Sequence, residues 1–233
     1  AFLMLCMALL LWKRFPLLPP SPNASSGLLY RDLIASMFTL LRRERVLQIR
    51  GLLALLMFAA FNIFWSALVL PLSAAPFYFS RTLIGAFGLV GVIGALMAAR
   101  AGQWADRGHA QRTSCVALLL LLLAWGPLSL LHTSLAALML GIVLLDLGGQ
   151  ALHVTNQSMI LRTRPEASGR LISIYMLFYA AGSGLGAIAS TMAYARAGWQ
   201  GLCQLGAAVS LLALLLWWWT RHHGDSPDPA SNA

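Results

Sequence analysis

The stretch SLAALMLGIVLLDLGGQALHVTNQSM, residues 134–159, decides the fold of this chain. Its single charged residue, Asp146, lies near its midpoint, and all the other residues are apolar, small or uncharged polar. A helix crosses the hydrocarbon core of a bilayer with about 20 predominantly apolar residues. The stretch is therefore predicted to be a membrane-spanning helix.

The composition of the whole chain agrees with this prediction. Of its 233 residues, 59% are hydrophobic and only 10% are charged, whereas a soluble domain carries about 25% charged residues. A transmembrane barrel would need short strands that alternate apolar and polar residues. Runs such as VALLLLLLA at 116–124 do not alternate. The chain is thus predicted to be an all-α integral membrane protein.

Apolar blocks of similar length recur along the chain and predict six full spans, near 51–72, 83–100, 113–131, 134–159, 169–195 and 199–219. The first apolar run, 1–12, is too short to span and lacks the features of a signal peptide. We expect a truncated transmembrane helix there, and hence a fragment of a longer protein. The remaining segments are a predicted cytoplasmic linker with a basic amphipathic helix (13–50), the six-helix domain (51–219) and a disordered cytoplasmic tail (220–233).

The basic residues are distributed unevenly between the two sides of the predicted spans. The net charge of +9 could indicate binding to nucleic acid. However, fourteen of the sixteen Lys and Arg residues fall in the linker, two alternate turns and the tail. The positive-inside rule therefore predicts a multi-pass protein of the inner (plasma) membrane, with linker and C-terminus in the cytoplasm. The expected partner is the lipid bilayer, and no nucleic acid.

Four strong polar side chains lie on one face of span 134–159. Asp146, Gln150, His153 and Gln157 project at about 0°, 40°, −20° and 20° around the helix. Polar groups within the hydrocarbon are costly and commonly mark a transport pathway. The stripe predicts a water-lined pathway with a titratable carboxylate. Polar contacts between helices are the alternative.

Two weaker polar rows accompany this stripe. Asn62, Trp65 and Ser66 are neighbours near the centre of span 51–72, and Tyr175 and Tyr179 are one turn apart in span 169–195. Either row could serve the pathway or simply pack helices together. In the latter span, Gly182 and Gly186 form a GxxxG pair, which predicts close helix contact.

No sequence pattern predicts an enzyme, a cofactor or a metal site. The chain has no P-loop, no catalytic Ser/His/Asp set and no spaced cluster of metal ligands. Its cysteines, Cys6, Cys115 and Cys203, are far apart and lie in or beside apolar segments. They are predicted to be buried thiols.

The turn after the second full span resembles a family signature. The residues Gly102-Gln103-Trp104-Ala105-Asp106-Arg107-Gly108, followed by Arg112, are similar to the cytoplasmic motif of major facilitator superfamily transporters. The later glycine and one basic residue of that motif are missing here. The resemblance implies that Gly102, Asp106, Arg107 and Arg112 belong to a cytoplasmic gate.

A second resemblance extends over most of the chain. Asn156-Gln157, the run Arg164-Pro165-Glu166-Ala167, and Tyr175-Met176 are similar to the tenth and eleventh helices of bacterial efflux-type members. This implies a six-helix half of the family's bundle, with two three-helix inverted repeats, whose N-terminal six-helix half is missing. It also implies proton-coupled efflux of a small molecule by alternating access. A non-transporting remnant of a disrupted gene, or a membrane partner subunit, is the alternative.

The uneven charge distribution generates a topology prediction. In a cysteine-free background, a membrane-impermeant thiol reagent added outside the cell should label Ser80→Cys. It should not label Ser226→Cys, because the tail is predicted to be cytoplasmic. The opposite labelling pattern would overturn this orientation.

Overall fold

The described part of the chain is built from helices joined by short turns. The computed structural model describes Met4, Met7 and residues 30–221, and it describes the backbone alone at 30–33, 92–99, 101, 105 and 106. The helices are α1 (Tyr30–Arg43), α2 (Arg45–Ala67), α3 (Val69–Ser73), α4 (Arg81–Trp104), α5 (Ala110–Leu123), α6 (Trp125–Ser129), α7 (Leu135–Thr163) and α8 (Ser168–Thr220). A π-helical turn, Ala105–His109, joins α4 to α5, and a 3-10 turn, Pro165–Ala167, joins α7 to α8.

Four helical stretches within residues 30–221 are long and apolar enough to cross a membrane. They are Arg45–Ser73, Arg107–Ser129, Leu135–Thr163 and Pro165–Thr220. The last has 56 residues and contains two of the predicted spans. Helix α4, with 24 residues, corresponds to the predicted span 83–100. The all-α membrane fold is confirmed, whereas the predicted segment 1–12 (Met4 and Met7 apart) and residues 222–233 of the tail lie outside the described residues.

Two glycines with positive φ set the boundaries between helices. Gly198 (φ 60°) divides α8 into a first arm, 168–197, and a second arm, 199–220. Gly108 (φ 86°) interrupts the helical backbone between α4 and α5, where the chain changes direction. Only glycine adopts such angles without steric cost from a Cβ. The indole of Trp199, directly after the break, donates a 2.8 Å hydrogen bond to the carbonyl of Leu128, which anchors the second arm beside α6.

The first arm of α8 packs along α2 at very short distance. A Cβ on Gly182 or Gly186 would collide with the backbone of Leu55 or Ala59, respectively. Further along, the Ser190 hydroxyl donates to the α2 carbonyl of Ile63 at 2.7 Å. The close contact predicted from the GxxxG pair is therefore present, and its partner is α2.

Helix α7 is packed in the same way against its neighbours. A Cβ on Gly148 would lie 2.7 Å from the carbonyl oxygen of Ala117 in α5, and one on Gly102 of α4 would lie 2.9 Å from the Val154 side chain. Small residues allow the helix backbones to approach each other closely. The resulting van der Waals contacts favour association of helices within a bilayer. Helices α4 and α5 consequently both lie against α7.

A buried arginine joins the helices at their basic end. Arg50 of α2 is 2% exposed, although the charge pattern placed it in the cytoplasmic linker. Its guanidinium donates to Ser114 Oγ (2.8 Å) and Gln111 Oε1 (3.2 Å) of α5 and to Asn156 Oδ1 (3.4 Å) of α7. Gln111 Oε1 also accepts a hydrogen bond from the indole of Trp217 in the second arm of α8 (2.9 Å). Four helical elements thus meet around one cation.

The close packing of α8 on α2 can be tested with two alanine substitutions. Gly182→Ala should lower the free energy of unfolding by about 1–3 kcal/mol, because the new methyl group collides with the Leu55 backbone. Gly184→Ala, in the same arm, is the matched control because its Cβ position is open. The general gain in helix propensity is common to both variants. Equal midpoints of denaturant unfolding in detergent would contradict the packing argument.

The arginine cluster generates a second stability prediction. Ser114→Ala removes an acceptor from a buried cation and should cost about 2 kcal/mol. Ser190→Ala is the control, since Ser190 is equally buried but its hydroxyl bonds only a neutral carbonyl. We expect the control to cost about half as much or less in the same unfolding assay. A larger loss for Ser190→Ala would show that Ser114 is not an important acceptor for Arg50.

Candidate functional site

The carboxylate of Asp146 lies in a tight space between three helices. The residue is 4% exposed on α7, and a Cβ on Gly91 of α4 would collide with its carboxylate oxygen. The indole of Trp65, on α2, lies beside the same carboxylate. However, the buried Trp65 Nε1 meets no acceptor at hydrogen-bonding geometry. An ionisable group and an unused donor are therefore adjacent within the membrane-spanning part of the chain.

Two turns further along α7, His153 is the centre of a polar cluster. Its Nδ1 lies 2.8 Å from the hydroxyl of Tyr175 in the first arm of α8, and its Nε2 lies 3.3 Å from Gln157 Nε2. Tyr175 is fully buried, whereas His153 and Gln157 are half-buried. The amide nitrogen of Gln157 can only donate, so His153 Nε2 accepts, and the neutral imidazole carries its proton on Nδ1, which donates to the Tyr175 hydroxyl.

Aromatic rings connect this cluster to α2. Phe58 packs edge-on against the His153 ring, with centroids 5.2 Å apart, and against the ring of Tyr179 at 4.0 Å. Tyr179 is 39% exposed and lies one turn after Tyr175 on α8. The predicted residues His153, Gln157, Tyr175 and Tyr179 are thus brought together, at the junction of α2, α7 and α8.

The remaining predicted pathway residues are arranged differently. Asn62 donates to the carbonyl of Phe58 within its own helix at 2.9 Å, and Ser66 is exposed. Gln150 is half-buried, at a level of α7 between Asp146 and His153. The single predicted stripe therefore forms two groups, one around Asp146 and Trp65 and the other around His153.

The structure extends the His153 cluster towards the basic end of the bundle. The Tyr175 hydroxyl lies beside Asn156, whose Oδ1 accepts from Arg50. Asn156 Nδ2 is buried and finds no partner in the described part of the chain. Sequence reasoning assigned no site role to Arg50, Ser114 or Asn156. The sequence contained a signal for the burial of Arg50, which is spaced three or four residues from the apolar Leu47 and Ala54 on one helix face that also includes Met57. In the structure all four residues are buried.

The predicted gate residues lie where α4 passes into α5. Gly102 is buried against Val154 of α7, while Arg107 and Arg112 are exposed. Asp106 lies in the π-helical turn, and its side chain is outside the described part of the structure. Among residues 30–221, His, Cys, Asp and Glu side chains form no group of three or more that could hold a metal ion.

Comparisons with known proteins agree with the fold. A family model described as the Major Facilitator Superfamily matches residues 51–233. The uncharacterized transporter YgaY of Escherichia coli strain K12 is 41% identical over 212 residues, covering 91% of this chain and 53% of that protein. YgaY of Escherichia coli O157:H7 gives the same identity and coverage. No solved structure matches the chain.

The chain spans about half the length of the curated relatives it matches. Most of its length is nevertheless covered by the family model, and the relatives match almost all of it. The multi-pass helical membrane fold and these matches lead to one conclusion: the chain belongs to the Major Facilitator Superfamily.

Proposed function

We propose that this chain is the C-terminal half of a secondary transporter that exports a small molecule in exchange for protons. The observation that carries the proposal is the carboxyl group of Asp146, buried between α2, α4 and α7 of a membrane-spanning bundle. A carboxyl group at such depth is costly and is retained where it serves transport or helix contact. The match to a transporter in Escherichia coli favours transport over a remnant without activity.

The polar groups on α7 suggest how the pathway is organised. Asp146 is the proposed proton-binding group, and Trp65 carries an N–H donor that can bond to its ionised form. The cluster of His153, Gln157, Tyr175 and Tyr179 is the proposed polar surface for the substrate. Gln150, Asn62 and Ser66 complete the proposed pathway. In alternating access, we propose that Ser66 and Tyr179, the exposed members of this set, face the N-terminal half across a central cavity, while Asp146 and Tyr175 lie behind them inside this half.

The gate and the orientation are parts of the same proposal. Gly102 allows α4 to lie against α7 just before the turn that bears Asp106 and Arg107 and is followed by Arg112. We infer that this turn closes the cytoplasmic side of the pathway. The excess of basic residues at this end supports an inner-membrane protein with its C-terminus in the cytoplasm. The direction of transport rests on the resemblance to efflux-type members.

Replacing Asp146 with Asn tests the proton-coupling role. The variant keeps the shape of the side chain but cannot titrate, so it should abolish transport driven by a proton gradient. The chain would be produced in cells together with its proposed N-terminal half, and everted membrane vesicles would be prepared from these cells. A transported compound is identified there by the proton flux that it induces, measured with acridine orange fluorescence. Asp146→Asn should eliminate this flux while preserving exchange of the labelled compound at equal pH.

The control for this test is Thr191→Val. Thr191 is exposed on the first arm of α8, and its hydroxyl bonds only a carbonyl of its own helix. This variant should retain both proton flux and exchange. If Asp146→Asn still moves protons with the compound at the wild-type rate, Asp146 serves only helix contact and the coupling assignment fails.

A further inference from the structure

A cleft opens between α4 and α5, away from the polar cluster around His153. Both helices lie against α7 and have little contact with each other, so α7 forms the floor of the cleft. The π-helical turn Ala105–His109 closes it at the basic end. Its volume is about 580 Å³, and Arg100, Trp104, Arg107 and Arg112 line its basic end.

One end of the cleft is strongly cationic. The guanidinium-bearing residues Arg100, Arg107 and Arg112 are all exposed. No described carboxylate lies within salt-bridge distance of any of the three. The indole of Trp104, 59% exposed, lies at the same end, as is common for tryptophan at the level of lipid headgroups. This end is suited to bind a phosphate group, to which arginine donates paired hydrogen bonds.

The other end of the cleft is apolar. Val116, Ala117 and Leu120 of α5 form one wall, and Leu147 and Ala151 of α7 form the floor. From Arg112 to Leu120 the cleft extends about 12 Å along α5, at 1.5 Å per residue. That length lies within one leaflet, since half of the hydrocarbon core is about 15 Å thick. The cleft therefore has the polarity of one phospholipid, with a charged headgroup above an acyl chain.

The geometry points to a binding site for an anionic phospholipid of the cytoplasmic leaflet in this cleft. The site rests on the proposed orientation of the chain, because the arginines must lie at the cytoplasmic surface, where anionic lipids attract basic residues. A free phosphate would leave the apolar walls without a partner. A transmembrane helix from another protein would have to place several acidic residues opposite the three arginines.

The experiment is native mass spectrometry of the purified full chain, titrated with dioleoyl phosphatidylglycerol or dioleoyl phosphatidylcholine. Wild-type chain should bind phosphatidylglycerol at least about tenfold more tightly than phosphatidylcholine, because the acyl chains are the same and only the headgroup charge differs. The triple variant Arg100→Gln, Arg107→Gln, Arg112→Gln should lose most of this preference. The triple variant Arg42→Gln, Arg43→Gln, Arg45→Gln makes the same change in charge at exposed positions outside the cleft, and it should lose clearly less of the preference than the cleft variant.

A second measurement locates the lipid without relying on loss of charge. Phosphatidylglycerol with a photoreactive diazirine in its acyl chain should label peptides containing Val116 or Leu120. Val116→Trp fills the cleft and should prevent this labelling, whereas Leu119→Trp, at an exposed position outside the cleft, should not. Correct folding of each variant is checked by its helical circular dichroism.

Three results would overturn the proposal. The first is equal binding of the two lipids, or equal loss of the preference in the two triple variants. The second is displacement of phosphatidylglycerol by equimolar inorganic phosphate, which would indicate a site for a free anion. The third is disulfide crosslinking of Val116→Cys between two copies, which would indicate a protein partner in the cleft. None of these measurements involves transport, so failure of proton coupling at Asp146 would leave their outcome unchanged.

Discussion

The guanidinium group of Arg50 is the constraint on which the arrangement of the helices depends. A buried cation is tolerated only where several acceptors surround it, because removing it from water costs several kcal/mol. Its acceptors come from α5 and α7, and Gln111 extends the contact to Trp217 of α8. These elements cannot move apart at this end without leaving the charge poorly solvated. The basic end of the half-bundle is therefore held together, whereas the Asp146 end has no such cation among its described side chains.

Helix α7 satisfies two opposing requirements on different faces. Towards α5 it presents Gly148, and towards Leu128 of α6 it presents Gly141, which permits close packing. Towards α2 and the first arm of α8 it presents His153 and Gln157, which need polar partners. Asp146 meets α4 where Gly91 leaves room for its carboxylate. The position of the proposed proton-binding group thus depends on a glycine in another helix.

The sequence predicts the helices and their faces better than their neighbours. Periodicity placed Asp146, Gln150, His153 and Gln157 on one side of α7, since the turn angle of a helix is fixed. It could not indicate that Gly91 lies opposite Asp146 or that Tyr175 contacts His153, because these contacts depend on which helices are adjacent. Arg50 was assigned to the cytoplasmic surface by a rule that counts charges near the ends of spans. Such a rule does not distinguish a solvated arginine from one that has turned into the bundle, where only the partners on α5 and α7 make its burial tolerable.

The two polar groups on α7 are linked through α2. Phe58 contacts His153, and Trp65 lies beside Asp146, so the two contacts are seven residues apart on each helix and run in opposite directions. Antiparallel packing produces this register, and it separates the contacts by about 10 Å along the axes. A rigid tilt of α2 against α7 would therefore alter both contacts together. In the proposed transport cycle, a substrate that separates Phe58 from His153 by tilting α2 would also change the surroundings of the Asp146 carboxylate, because Trp65 belongs to the same helix.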